Sequence, residues 1–171
     1  MGINSIKKFE EEVLFTQTDI GYIKSFFHKW TEGFVHDGEE SFKDYRYRKC
    51  FSTIPIKDKE LIKFVVNKLK PFGVKSINHG IQLMKYGEGN YFRTHRDYSP
   101  TKYSWRYKSL VTQLSEISEY EGGTLLIKGR PMKKDLGNTV MFDSNIPHEV
   151  MELTKGTRIT MVLWLSKEDI I

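Results

Sequence analysis

The chain has 171 residues, 39% of them hydrophobic and 13% aromatic, a length that suits one domain with a sizeable core. Lysine and arginine outnumber aspartate and glutamate by 27 to 22, a surplus compatible with an acidic or nucleic-acid partner and equally with an ordinary solvated surface. The single cysteine, Cys50, excludes an intramolecular disulfide, and no run approaches the roughly 18 apolar residues of a helical membrane span.

The opening stretch, MGINSIKKFEEEVLF, lacks the apolar centre of a secretory leader, so a soluble, cytoplasmic protein with no membrane attachment is expected. Residues 19–30, DIGYIKSFFHKW, set Ile20, Ile23, Phe26, Phe27 and Trp30 at helical spacing behind Asp19 as a cap, which predicts an amphipathic helix. The polar, aromatic run HDGEESFKDYRYRKC then reads as a surface loop, placed to fold over an extended peptide, leading into a short strand over 51–56. A second helix is predicted in IKDKELIKFVVNKLKPFG, where Leu61, Ile62, Val65, Val66 and Leu69 repeat at helical spacing until Pro71 and Gly73 stop it.

From Ser76 the helical period gives way to short runs punctuated by glycine, asparagine and proline: INHGIQLMKY, YKSLVTQLSE, GGTLLIKG, GNTVMFDS, PHEVMEL and TRITMVLWLS. Such runs predict an antiparallel sandwich or barrel with the two helices packed outside it. With no internal repeat and no low-complexity linker, one continuous domain over 1–171 is expected, helical to about residue 75 and β from about 76 to 168.

Within YFRTHRDYSP, His95 and Asp97 stand two residues apart, so on an extended strand both point to one side and can share a metal. The kinase reading of H-R-D fails, because the required asparagine position holds Lys102 and no D-F-G follows. His28, His36 and His79 lie in a helical pattern, a polar loop and a turn, and read as surface or structural residues. His148, in FDSNIPHEV, opens a later strand that can return to face the first pair, which completes a set of two histidines and one carboxylate.

In TRITMVLWL, alternation puts Arg158, Thr160, Val162 and Trp164 on one face and Ile159, Met161, Leu163 and Leu165 on the other. Both faces are largely apolar, so Arg158 is expected to be buried, and its strand supplies no acid to pair with it. A bound carboxylate is the natural partner, with the Thr160 hydroxyl on the same face as a helper.

These residues resemble the iron(II)- and 2-oxoglutarate-dependent oxygenases, specifically the prolyl 4-hydroxylase-like branch. The resemblance covers residues 82–164 and rests on an ordered set: YGEGNYFRTHRD, YEGGTLLI, GNTVMFDSNIPHEV and KGTRITMVLW, with the arginine ten residues after the distal histidine. It implies a double-stranded β-helix, a jelly-roll core like that of the cupins. It also implies His95, Asp97 and His148 as Fe(II) ligands and Arg158 as the anchor of the 5-carboxylate of 2-oxoglutarate. Tyr86 matches an aromatic hydroxyl that helps to bind this cosubstrate, with Thr160 as a lesser helper. Gln113 stands where related chains often carry an aromatic residue, a departure that touches the cosubstrate pocket.

The implied reaction consumes O2 and 2-oxoglutarate, yields succinate and carbon dioxide, and hydroxylates a C–H bond, with ascorbate as an accessory. Related halogenases replace the carboxylate ligand by a small residue, so Asp97 favours hydroxylation. The resemblance points first to prolyl residues of a peptide or protein, and next to a free amino acid or another small metabolite. A nucleic-acid-modifying oxygenase ranks lower, because those enzymes typically carry a second arginine where this chain has Trp164. A non-catalytic cupin-like binding module ranks low too, since all three ligand positions and Arg158 are present.

Overall fold

The computed structural model describes residues 9–33, 35–37, 40–42 and 44–171, with the side chains of 35–37 and 40–42 outside the description. In chain order the elements begin with β1 (Phe9–Val13), α1 (Gln17–Lys24), β2 (Thr31–Glu32), β3 (Val35–Asp37), β4 (Glu40–Phe42), β5 (Arg48–Lys49), β6 (Phe51–Ser52) and α2 (Lys59–Lys68). They continue with β7 (Gln82–Tyr86), β8 (Tyr91–His95), β9 (Lys108–Gln113), β10 (Tyr120–Gly122), β11 (Leu125–Ile127) and β12 (Arg130–Pro131). The last four are β13 (Asn138–Asp143), β14 (His148–Val150), β15 (Leu153–Gly156) and β16 (Arg158–Leu165).

Seven strands form a major antiparallel sheet in the order β1-β13-β9-β16-β7-β6-β2, and five form a minor sheet in the order β12-β11-β14-β8-β5. One apolar cluster joins them, with Met84, Tyr86, Val140, Phe142 and Val162 from the major sheet meeting Leu125, Ile127 and Val150 from the minor one. The opposite face of the major sheet supplies Leu83, Leu110, Met161, Leu163 and Leu165 to a second cluster under the helices. Strand alternation therefore divides β16 as its sequence implies, one face toward the helices and one into the space between the sheets. Two facing antiparallel sheets with helices against the outer face make a double-stranded β-helix.

The helices differ in detail from the sequence reading. The first begins earlier, at a Thr16 N-cap, and Asp19 occupies the third helical position, where its carboxylate accepts from the Thr16 N–H in a capping box. It ends at Lys24, while Phe26, Phe27 and Trp30 pack against the helix-side cluster from the following segment. The second is capped by Asp58, which accepts from Glu60 and Leu61, and buries Leu61 and Val65. A short 3-10 turn, Lys70–Phe72, then closes on Gly73 in the left-handed region.

Two further differences lie before residue 75. FEEEV, five residues of which three are glutamate, forms an edge strand paired with β13. There Glu11 accepts from the Lys133 N–H and the Asn138 side chain. The run read as a loop contains the β3–β4 hairpin and β5, which pairs with β8. The expected closure of that run over a substrate lies outside the described residues. Among the described residues no helix is long and apolar enough to cross a membrane.

The turn into β13 shows how tightly the layers meet. Gly137 has φ of +78°, and a Cβ there would fall 1.8 Å from the Phe15 carbonyl oxygen. Left-handed backbone and backbone contact together demand glycine. Gly137→Ala is expected to lower stability by at least ~2 kcal/mol. Gly21, inside α1 with nothing within 4 Å of its virtual Cβ, is the control. Gly21→Ala should raise stability by about 0.5–1 kcal/mol. Urea denaturation of both variants checks the pair, and equal effects would contradict the assigned backbone constraint.

Candidate active site

β8 and β14 pair antiparallel with His95 directly opposite His148, and a bulge follows before Val150 meets Phe92. The pairing brings the two imidazoles to 4.3 Å between ring centres. Just past β8 the chain turns, and the Asp97 and Tyr98 N–H groups donate to the Ser144 carbonyl at 3.0 and 2.9 Å. This swings the Asp97 carboxylate between the rings, 3.5 Å from His95 Nε2 and 3.3 Å from His148 Nε2. Ligand atoms of the three residues all lie within 4.8 Å of one another.

Both histidines are held from behind. His95 Nδ1 lies 2.7 Å from the Arg93 carbonyl and His148 Nδ1 2.9 Å from the Ile146 carbonyl, so each Nδ1 carries the proton and each Nε2 is turned to the site. The His95 ring stacks on Phe92 at 3.5 Å. Asp97 Oδ2 accepts from Ser109 Oγ at 2.6 Å, and Ser109 in turn contacts Ser144 Oγ at 2.9 Å. Two imidazoles and one carboxylate, oriented by such partners, suit Fe(II), which takes mixed nitrogen and oxygen ligands and keeps positions open.

Electrostatics bind the three together. Burial opposes the charged form of Asp97, but the two histidines hold its carboxyl well below its ordinary range. Burial opposes protonation of His148 too, yet the adjacent carboxylate raises its basicity above the usual imidazole value. For His95, burial dominates and lowers it.

Arg158 sits in the inner pocket that reaches this triad. It is 1% exposed, pairs in register with Tyr86 across β16–β7, and its guanidinium lies 5.2 Å from the Tyr86 ring centre. Among the described residues its buried Nε and Nη2 meet no carboxylate, and the group that interacts with the guanidinium most directly is the neighbouring Tyr120 hydroxyl. Burial lowers the basicity of Arg158 and raises the pKa of both phenols, Tyr86 and Tyr120. A buried guanidinium without an acid beside it is unfavourable unless an anion meets it. Room for the side chain comes from Gly123, with φ of +62°, where a Cβ would fall 3.1 Å from Arg158 Cδ.

Thr160, 1% exposed, lines the same pocket. Gln113, its partner across β9–β16, is buried with an unpaired Oε1 but does not line the pocket. His28 and His79 are exposed and far in role from the triad, although His79 stacks on Trp105 at 3.5 Å in a second, outer cleft. The side chain of His36 lies outside the described residues. Phe92, His95, Asp97 and Trp164 line both the inner pocket and the outer cleft, so the triad stands where the two meet.

The sequence reading missed Ser109, Ser144, Tyr120 and two arginines of the outer cleft, Arg48 and Arg106. The available signal was slight. Ser109 is a hydroxyl on an otherwise inward strand face in KSLVTQ, and Tyr120 immediately precedes the double glycine.

Two histidines and one carboxylate beside a pocket with a buried arginine, in a double-stranded β-helix, make an oxygenase-type site. Residues 81–166, half of the chain, match the family model of the 2OG-Fe(II) oxygenase superfamily, and the chain belongs to that superfamily. It is similar to a PKHD-type hydroxylase of Prochlorococcus marinus, 32% identical over 111 residues that cover 61% of this chain and 50% of the relative. A PKHD-type hydroxylase of a Synechococcus species is 25% identical over 146 residues, covering 80% and 65%. The chain thus spans about half the length of the first of these relatives and under two thirds of the second.

Among solved structures, a Pseudomonas putida prolyl-4-hydroxylase aligns with a TM-score of 0.65 at 15% identity over 95% of this chain and 94% of that one. A Trichoplax adhaerens prolyl hydroxylase, solved with a hypoxia inducible factor peptide fragment, aligns at 0.71 with 16% identity over 95% and 85%. Both show likeness of fold.

The Asp97–His148 contact makes a direct prediction for the metal-free protein. With the carboxylate present, His148 should titrate above its ordinary value of 6.5. In Asp97→Asn the carboxylate's raising influence is lost while burial still lowers and the Ile146 carbonyl still raises, so His148 should titrate lower than in the wild type. An NMR pH titration of the imidazole reads the shift, and an unmoved midpoint would contradict the pairing.

Proposed function

We propose that His95, Asp97 and His148 hold Fe(II), that Arg158 holds the distal carboxylate of 2-oxoglutarate, and that the protein hydroxylates a C–H bond while converting 2-oxoglutarate to succinate. The observation that carries this reading is the buried Arg158 guanidinium, which meets no carboxylate among the described residues and shares an inner pocket with the triad. A five-carbon dicarboxylate fits that demand, because one end meets a cation and the other supplies oxygen donors to a metal. Bound iron would supply the activation of dioxygen that an apolar pocket of side chains has no chemistry to provide.

The chain's own residues do the positioning. Arg158 aligns the cosubstrate by its fork, with the Tyr86 and Tyr120 hydroxyls as neighbouring donors and Thr160 as a lesser one. Ser109 and the two backbone carbonyls fix the ligand side chains before any metal arrives. Met84, Val111, Leu125, Val150 and Val162 line the rest of the inner pocket and keep water from the reacting centre. The outer cleft, open to solvent and meeting the inner pocket at the triad, receives the substrate.

For the substrate we propose a prolyl residue in a peptide or protein. The similar proteins are hydroxylases of the PKHD type and prolyl hydroxylases, one of them solved with a peptide fragment. Ascorbate enters this proposal as the accessory reductant of the assay. The test adds Fe(II) and 2-oxoglutarate without oxygen, where a weak visible charge-transfer band is expected. Air and a peptide library are then admitted, and mass spectrometry seeks the gain of one oxygen. Absence of the band at high protein concentration would favour a binding module instead.

Variants separate the two sites. His148→Ala should lose most bound iron, and full iron with full turnover would remove the triad assignment. Arg158→Ala should raise the 2-oxoglutarate half-saturation roughly 30-fold or more, since a desolvated charge pair is worth about 2–5 kcal/mol. Arg158→Lys should raise it less, and iron content should hold in both. Unchanged half-saturation in Arg158→Ala would remove the cosubstrate assignment.

A further inference from the structure

We propose that the outer face of the minor sheet, along β8 and its edge neighbour β5, binds single-stranded nucleic acid. Tyr47 offers a ring on which a base stacks, Tyr91 seats an arginine, and Lys49 and Arg93 meet the phosphates. This face lies on the reverse of the minor sheet from the triad, so the inference stands apart from the oxygenase reading.

Strand alternation separates the two faces. Phe92 of β8 points inward, where it packs against the inter-sheet cluster and stacks on His95. Its cross-strand partner Arg48 faces the same way, with the guanidinium 4.6 Å from that ring's centre. Tyr91 and Arg93, one step to either side of Phe92, therefore point outward. Lys49 pairs in register with Tyr91 and shares its face. Tyr47 continues the register opposite Arg93, whose N–H donates to the Tyr47 carbonyl at 2.7 Å. The four side chains make a two-by-two lattice with the tyrosines on one diagonal and the cations on the other, diagonal neighbours lying about 7–8 Å apart.

The rings are fixed and the cations are free to meet an anion. The Arg93 guanidinium lies 4.7 Å from the Tyr91 ring centre, and the Tyr91 hydroxyl donates to the Tyr45 carbonyl. Tyr47 is 51% exposed, with Arg46 at 5.7 Å from its ring centre. Arg46 itself is engaged by Asp44, to which it donates at 3.0 and 2.8 Å, so that pair adds no net charge. Lys49 and Arg93 are exposed and make no ion pair among the described residues. Against them the face sets Glu149, which points outward between two buried neighbours on β14, and the balance stays positive.

Exposed rings interleaved with cations suit a single strand, because bases stack on the rings while phosphates meet the charges. An acidic peptide satisfies the cations alone and leaves Tyr47 without a planar partner. The sheet face therefore favours nucleic acid over a carboxylate-rich chain.

The test is fluorescence anisotropy of labelled strands of about twelve nucleotides, as RNA, as DNA and as an abasic strand of equal charge. At low salt a base-bearing strand should bind with Kd on the order of 1–100 μM, at least about fivefold more tightly than the abasic strand. The RNA and DNA arms identify which nucleic acid is preferred. Raising salt from about 50 to about 200 mM should weaken binding about 5- to 20-fold, as the release of two or three counterions requires.

Tyr47→Ala should cost about fivefold or more on the base-bearing strands and leave the abasic strand within about twofold, while Tyr47→Phe keeps the affinity. Arg93→Gln should weaken every strand about fivefold, whereas Arg130→Gln, on β12 at the far edge of the same sheet, should change none beyond about twofold. Thermal melts confirm that the variants fold, and the wild-type comparison with the abasic strand stands without them. Failure of both base-bearing strands to bind overturns the proposal, as does equal affinity for the abasic strand. Equal losses in Arg93→Gln and Arg130→Gln overturn it by assigning the binding to net charge. A glutamate-rich peptide bound as tightly as either strand overturns it by assigning the face to an acidic chain.

Discussion

The antiparallel register of β8 against β14 is the constraint on which the site depends. It places His95 opposite His148, and a shift by one residue would turn one imidazole to the other face of the minor sheet. The Ser144 carbonyl's hold on the Asp97 and Tyr98 N–H groups then brings a carboxylate from a loop into the gap between two strand residues. His95, Asp97 and His148 are thus gathered by one two-strand ladder and one turn. The hydrogen bonds behind them come from nearby carbonyls and hydroxyls of the same scaffold.

Charge is concentrated where the protein gives it little internal relief. Arg158 is sealed between the sheets with no carboxylate beside it, and Arg106 is held between two rings at the mouth of the same site. A fold selected only for stability would pair or remove such groups, since an unpaired buried cation costs several kcal/mol. Their retention divides the site along its length. A pocket holding Arg158 lies on the inner side of the triad and a cleft lined by Arg106 on the outer side, with Asp97 as the carboxylate between them.

Much of this was legible in local sequence. The ligand positions stand in short runs with polar residues where strand alternation calls for apolar ones, and Arg158 stands out in TRITMVLWL for the same reason. The alternation of β16 carries directly into the structure because both of its faces are buried, so register has no freedom. β1 was not legible. FEEEV exposes most of its length as an edge strand, and pairing with β13 overrides the poor strand propensity of glutamate. The first helix was overextended because Phe26, Phe27 and Trp30 follow helical spacing yet are held by tertiary packing beyond Lys24. Ser109 and Arg106, Tyr120, and Arg48 reach the site from three separate segments, and no local pattern marks a residue whose importance arises only from where the sheets bring it.

The two apolar clusters then have different consequences for the chemistry. Arg158 belongs to the major sheet, whereas His95 and His148 belong to the minor one, so the span between the arginine and the two histidines is set by the packing between the sheets. Val150, Val162, Phe142 and Leu125 fill that space, and Phe142 touches the His148 ring edge-on at 4.8 Å between centres. Truncating one of these side chains would shift one sheet relative to the other as well as remove apolar contact, because a close-packed interior relaxes only partly into a cavity. Leu61, Val65 and Leu110 lie on the helix side, where a cavity would be absorbed between the major sheet and its helices and leave the inter-sheet span alone. The core between the sheets is therefore part of the active-site geometry, and the core beneath the helices is its support.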